Sequence, residues 1–393
     1  MFAISKLLAR VIILAGLVTP CFGAFNYYRS VTLDNAYVTA DQSNYPALIT
    51  GTSVDLKTVA NGGHVQDAEG DDIRFFSDTA CTSALSYQRK SYTASSGAFL
   101  FWVKIPTLDT DADTVIYVCY GDASLTTDGS STATWDSNFV GVWHFDGSLE
   151  LTDATANGYT LSPLTTADGA CAVSCPATTS GIVGNAALYT ISGGWLGRVS
   201  SFTNVAPPFT MQCWVLLNGD PSTTLSGIIM THGTNAAGGS NNGRRFAFAD
   251  SGTNRFIRYT RGGIADHDLT TNTFAYNTSQ WVFTAVTLNT AADSIKSHIG
   301  VSGTVTTQTM AVGTTQNGTP NAIYLEVRGA DGVGAWTAGA GKTDECWFSN
   351  TDRSDTWLST HAKMVVAAAS FTTLGTETSA GGPFGQYILK RVQ

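Results

Sequence analysis

Apolar runs of five to eight residues, each ended by a cluster of Gly, Asp, Asn or Ser, recur along almost the whole chain. Such runs suit strands better than helices, because a strand needs only a few residues and a turn must then reverse it. The clearest restart of the pattern is residues 135–145, Trp-Asp-Ser-Asn-Phe-Val-Gly-Val-Trp-His-Phe. There Phe139, Gly141 and Trp143 alternate with Val140, Val142 and His144, giving one bulky and one mixed face. The residues before this stretch read as a small β-domain, and those after it as a larger one. With 393 residues the chain suits two or three domains. Its hydrophobic content of 43% is ample for cores, while charged residues are only 13%, about half the usual share. The surface is therefore left to Thr, Ser, Asn and Gly, which favour strands and turns. Forty glycines against ten prolines, without a period, exclude collagen. A net charge of -9, with Arg244-Arg245 and Lys390-Arg391 as isolated basic pairs, argues against nucleic acid, whose phosphates need clustered cations.

The N-terminus reads as an address. Lys6 and Arg10 precede an apolar run, Val11 to Val18, and small residues come next at Gly23-Ala24. This predicts a signal peptide over 1–23, cleaved after Gly23. The run falls short of the ~20 apolar residues that span a bilayer, so no transmembrane span is expected in the mature chain. An N-terminal anchor or a buried strand is the alternative. Pro20 before Cys21 makes a poor lipoprotein site. Cleavage would leave six cysteines: Cys81, Cys119, Cys171, Cys175, Cys213 and Cys346. An even set in an exported chain suits disulfides. Cys171 and Cys175 could close a short loop, Cys81 and Cys119 share the first domain, and Cys213 and Cys346 lie in two distant apolar strands. Buried free thiols are the competing reading for each. Zinc on these cysteines is disfavoured, since no paired C-x-x-C elements accompany them.

Residues 24–123 form the first expected unit, a small β-sandwich. Its runs GGHVQDAEGDDIRF (62–75) and VIYVCYGDAS (115–124) resemble an uncharacterised domain of bacterial, archaeal and phage surface proteins that commonly precedes a LamG-like jelly roll. That resemblance brings no known activity. Asp67, Glu69, Asp71 and Asp72 offer oxygen ligands at close spacing, so calcium is carried as an option beside the simpler reading of a tight turn. Asp109, Asp111 and Asp113 begin like an EF-hand loop, but Thr114 stands where Gly is needed and Tyr120 where Glu is needed, so these predict a turn. The Ser/Thr/Gly composition of 124–134 predicts a short linker.

The second unit, 135–378, carries strand patterns at 187–191, 209–217, 227–230, 245–249, 255–259, 281–288 and 322–327. So many strands need two sheets or a barrel. FVGVWHF (139–145), DATANGYTL (153–161), GIVGNAALY (181–189), FTMQCWVLL (209–217), QWVFTAVTLN (280–289) and TDECWFSNTDRSDTWLSTHAK (343–363) resemble, in this order, LamG-type concanavalin A-like jelly rolls. The resemblance implies an all-β chain of two β-sandwich domains, the second a concanavalin A-like jelly roll. Cys213 and Cys346 both depart from the usual residues of that pattern, as a family-specific disulfide would produce. One short helix is expected near the C-terminus: Ser354 is a fair N-cap, Asp355 suits the positive helix end, and Trp357, Leu358, His361 and Val365 recur at helical spacing. It is expected to cover one edge of the sandwich. Phe371 to Leu374 reads as a closing strand and 379–393 as a tail.

No catalytic signature emerges. Jelly-roll glycosidases need two carboxylates flanking the scissile bond, and the family spacing Glu-x-Asp-x-x-Glu is absent. Asp344 and Glu345 should point to opposite sheet faces, one of them as a structural acceptor. No G-x-S-x-G or H-E-x-x-H element occurs, and His267, between Asp266 and Asp268, reads as part of a polar loop. Binding asks for less: aromatic, amide and carboxylate groups on loops at one rim. The loops 232–244, 261–268 and 328–336 supply Asn241, Asn242, Asp266, Asp331 and Trp336, and Trp195 after Gly193-Gly194 is a further exposed candidate. The expectation is a non-catalytic exported surface or virion protein that binds a glycan or another cell-surface ligand, with calcium as an option. A structural or assembly module is the alternative, and a divergent polysaccharide-active enzyme the third.

Overall fold

The computed structural model describes residues 25–380 apart from 148, 150, 165–169, 173, 190–193, 200, 218–225, 234–243, 251–253, 262–264, 276–278, 290, 314–319, 321 and 329–340. The described chain is all-β, as expected, in four antiparallel sheets. Two small sheets make the first sandwich. One runs Thr372–Leu374, Tyr27–Leu33, Thr114–Tyr120, Arg74–Phe76, and the other Gln42–Thr52, Ala98–Leu108, Tyr87–Thr93. In Ala98–Leu108 the residues Phe99, Phe101, Val103 and Ile105 alternate inward, where Phe75 and Tyr87 meet Phe101 at 5.1 and 5.5 Å between ring centroids.

The second sandwich, jelly-roll-like, faces an eight-stranded sheet against a seven-stranded one. Phe209–Leu217 and Gly341–Ser349 lie in the middle of the larger sheet and are buried on both faces. Phe209, Met211, Cys213, Val215 and Leu217 enter the core shared with the seven-stranded sheet. Trp214 and Trp347, on the other face, join the core of the first sandwich. From that side Leu48, Trp102 and Gln88 stand in one cross-strand row. Trp102 reaches Trp347 at 5.1 Å and His361 at 6.0 Å. The two sandwiches thus share one apolar layer.

The helix Asp355–Val366 lies in that layer. Ser354 Oγ accepts from Trp357 N–H at 3.1 Å, and Trp357, Leu358, His361 and Val365 are buried, as the spacing predicts. It is wedged between the sandwiches rather than laid over an edge: Met364 Sδ accepts from Leu48 N–H on one side, and Trp214 Nε1–H donates to His361 Nε2 at 3.3 Å on the other. The expected closing strand also lands elsewhere. Thr372–Leu374 pairs with Tyr27–Leu33, so the chain's end returns to the first sandwich. The expected linker 124–134 is held down: Ser131 N–H donates to Tyr87 O at 2.8 Å, and Lys104 Nζ to Ala133 O at 2.8 Å.

All three suggested cysteine pairs are disulfides, Cys81–Cys119, Cys171–Cys175 and Cys213–Cys346. No helix among the described residues is long and apolar enough to cross a membrane.

Candidate ligand-binding site

The seam between the sandwiches holds the densest set of ionisable groups. A β-bulge opens the strand Gly341–Ser349, where Gln212 pairs with Trp347 but Trp214 with Asp344. The extra residue puts Glu345 at φ 47°, the left-handed region that a side chain with Cβ enters at a cost of about 1–2 kcal/mol. Strict alternation therefore fails. Asp344, opposite Trp214, and Glu345, which accepts from Trp347 Nε1–H at 3.0 Å, both face the seam, correcting the expectation of opposite faces.

Glu345 is fully buried and receives Lys90 Nζ at 3.0 Å from the first sandwich and His144 Nδ1 at 2.6 Å. Lys90 also pairs with Asp146. His144 Nε2 lies 3.1 Å from Gln88 Oε1, which also accepts from Trp135 Nε1–H at 2.8 Å. Burial works to raise the Glu345 carboxyl, but His144 and Lys90 outweigh it and hold it down at about 2. Burial likewise pulls Lys90 down, and the charges of Glu345, Asp146 and Asp344 more than reverse it, leaving the ammonium above its usual range. Asp344 is pushed well above the usual carboxylate value by burial and then by Glu345. It accepts from Ile182 and Val183 N–H, both at 2.9 Å, which ties the 181–184 turn to the seam. These carboxylates are structural acceptors sealed from solvent.

Beside this cluster the seam opens into a slot of about 170 Å³ lined by Gln88, Ser130, Ser131, Thr132, Thr152 and Asp153. The held-down linker supplies one wall, and the segment after Phe139–Trp143 the other. Asp153 is already engaged, accepting from Val142, Thr155 and Tyr159 N–H at 2.9–3.0 Å. The slot thus presents a few hydroxyl and amide groups among methyl and methylene carbons, and its exposed lining is more apolar than polar. A second groove, about 290 Å³, lies on the larger sandwich between Phe274, Ile299, Val301, Thr304, Thr306 and Gln280.

Of the residues singled out from sequence as ligand contacts, the two that the structure describes, Trp195 and Asp266, line neither place. Trp195 is 1% exposed, packed with Leu164 and Tyr324, so the expected exposed platform is a core side chain. The strand Ala265–Ala275 begins within the loop expected over 261–268, and His267 stands on it opposite Tyr259. Asp266, 49% exposed, lies 3.8 Å from the Arg258 guanidinium. Asn241, Asn242, Asp331 and Trp336 lie outside the described residues. Of the acidic turn, Asp72 accepts from Gln66, Asp67 and Gly121 N–H, and Asp71 pairs with Arg89 at 2.8 Å, so these carboxylates serve the turn. Asp109 Oδ1 accepts from Asp111 N–H at 2.7 Å, again a turn. Gln88, Ser130, Thr132 and Thr152 escape sequence reading because common polar residues from separate segments carry no periodic or motif signal.

Residues 69–156 match a family described as a domain of unknown function (DUF2341). The match runs from the acidic turn through the linker to the far wall of the slot. No curated protein matches the chain. Similar solved structures include the botulinum neurotoxin serotype D binding domain, at 12% identity and a TM-score of 0.40 over 59% of this chain and 51% of that one. The binding domain of botulinum neurotoxin DC in complex with SialylT gives 12%, 0.38, 58% and 52%. A structure on botulinum neurotoxin type C cell entry through two ganglioside molecules gives 14%, 0.37, 60% and 53%. The chain spans about half the length of these structures. At such scores the likeness carries no argument.

Proposed function

We propose that this chain is a non-catalytic, exported surface or virion protein that binds a glycan, its second sandwich being a LamG-type, concanavalin A-like module. The observation that carries this reading is the seam slot: a concave site with hydroxyl and amide groups set among apolar surface, beside the buried Lys90 ion pairs. Pockets gather at domain interfaces, and prepaid rigidity lowers the entropic cost of binding. Its volume, below the roughly 300–1,000 Å³ of drug-sized pockets, suits one sugar residue of a longer chain. A glycosidase reading has less support, because neither cavity is lined by two carboxylates. Three disulfides suit an oxidising compartment.

The test is a glycan array probed with the folded chain, with calcium and then with a chelator. Binding is expected, and Thr152→Trp, which places an indole in the slot from an exposed position, should reduce it at least about tenfold, or ~1.4 kcal/mol. Loss of binding with chelator would assign calcium a role; no binding by folded protein would sink the glycan reading. The second reading, a structural or assembly module, is favoured by the core that the two sandwiches share, since a spacer must hold its shape.

A further inference from the structure

On the first sandwich, away from the seam, three ligand-type side chains converge from three separate segments. A carboxylate oxygen of Asp55, the imidazole of His64 and a carboxylate oxygen of Glu377 lie within 4.8 Å of one another. We propose that this cluster is a binding site for a borderline divalent cation of the zinc type, which pins the chain's C-terminal segment to the first sandwich. The proposal is independent of glycan binding.

The local backbone builds the site. Asp55 sits on the single turn Val54–Leu56, which Ser53 caps by accepting from Asp55 N–H at 3.3 Å. His64 N–H donates to Asp55 O at 2.9 Å, fixing the two residues side by side. Glu377 arrives between Thr372–Leu374 and Thr378–Ser379, both paired with Tyr27–Leu33, so its position is set by strand register.

The ligand-type atoms already meet, through a hydrogen bond that an ion would replace. His64 Nδ1 lies 2.8 Å from Glu377 Oε2, and its ring stacks on Tyr27 at 4.0 Å and 6°. Tyr120 Oη–H donates to Glu377 Oε2 at 2.7 Å, an outer partner of the kind that steers a ligating carboxylate. Arg29 holds Asp55 Oδ2 at 3.3 Å, fixing the carboxylate at the cluster. Tetrahedral zinc with bonds of ~2.0–2.1 Å separates its ligand atoms by about 3.3 Å, so the His64–Glu377 pair, 2.8 Å apart, would open by about 0.5 Å and the widest separations, up to 4.8 Å, would close by about 1.5 Å. One imidazole and two carboxylates suit zinc and leave a fourth position for water. His64, Glu377 and Asp55 are 37%, 17% and 30% exposed, so an ion has access. Competing sites among the described residues are few: the six cysteines are in disulfides, His144, His232, His298 and His361 are buried, and next to the half-buried His267 the Asp268 carboxylate is held by Arg258.

The experiment uses the full disulfide-bonded chain, stripped with chelator and titrated with Zn²⁺ alone by calorimetry, then with Co²⁺ by visible absorption. One equivalent of saturable Zn²⁺ is expected, with intense tetrahedral Co²⁺ bands displaced by zinc. His64→Gln and Glu377→Gln, at partly exposed positions and checked for folding by circular dichroism, should each weaken binding more than the roughly 10–100-fold typical of outer partners. Absence of saturable binding, or an affinity within about threefold of wild type in either variant, would overturn the proposal.

Discussion

Three histidines are kept neutral by the interior. Burial pushes His232 and His361 down to about 3, and His298 to about 4. Each folded value lies below the ordinary 6.5, so this stabilisation is complete above about pH 6.5. It drains as the pH falls towards 3–4, because the unfolded chain takes up protons that the folded one refuses. Glu345, held near 2 against an ordinary 4.5, acts in the same direction below pH 4.5, while the raised Asp344 opposes it. Each group contributes a slope of about 1.4 kcal/mol per pH unit, so three histidines give roughly 4. The melting midpoint should therefore fall steeply between pH 6 and 4, by thermal melts tracked with circular dichroism. A midpoint flat over that window would contradict the neutral, buried state of these rings.

At the scale of elements, the bulged pair Phe209–Leu217 and Gly341–Ser349 is the pivot. Its bulge turns Glu345 into the seam, and the Cys213–Cys346 disulfide crosses the strands beside it, both sulfurs fully buried. The bond closes a separation of 133 residues, and constraining so long a loop in the unfolded chain stabilises by about 2–5 kcal/mol. The double substitution Cys213→Ala, Cys346→Ala should cost that much in urea denaturation. A loss under about 1 kcal/mol would show that strand pairing alone holds the bulge. The sequence exposed much of this level: the strands and the helix with its Ser354 cap come from local pattern, and the even cysteine count suggested disulfides while leaving their pairing open. The bulge did not, because a strand buried on both faces carries no apolar–polar alternation whose phase an inserted residue could break.

In the whole molecule, one apolar layer joins the two sandwiches, with Trp102 of the first against Trp347 of the second. Trp102 is fully buried, so Trp102→Ala should cost about 3–5 kcal/mol. Because the ring serves both sandwiches, hydrogen exchange should show protection lost together at Phe99–Val103 and at Cys346–Phe348. Loss confined to the first segment would mean that the sandwiches unfold independently. The candidate slot belongs to this scale as well. Its walls come from residues 88, 130–132 and 152–154, brought together only when the linker is held against Tyr87–Thr93.

The amino-acid sequence by itself determined that this chain is built of strands and where most of them run, while its even set of six cysteines suggested disulfides without fixing their pairing. Those properties depend on period, turn chemistry and composition, which are local. Tertiary structure alone decided that Trp195 is core, that Asp344 and Glu345 share a face, that the helix is a wedge, and that Glu377 returns to meet Asp55 and His64. Each of these depends on which surfaces meet across hundreds of residues. A strand's pattern says that a face is buried without saying against what.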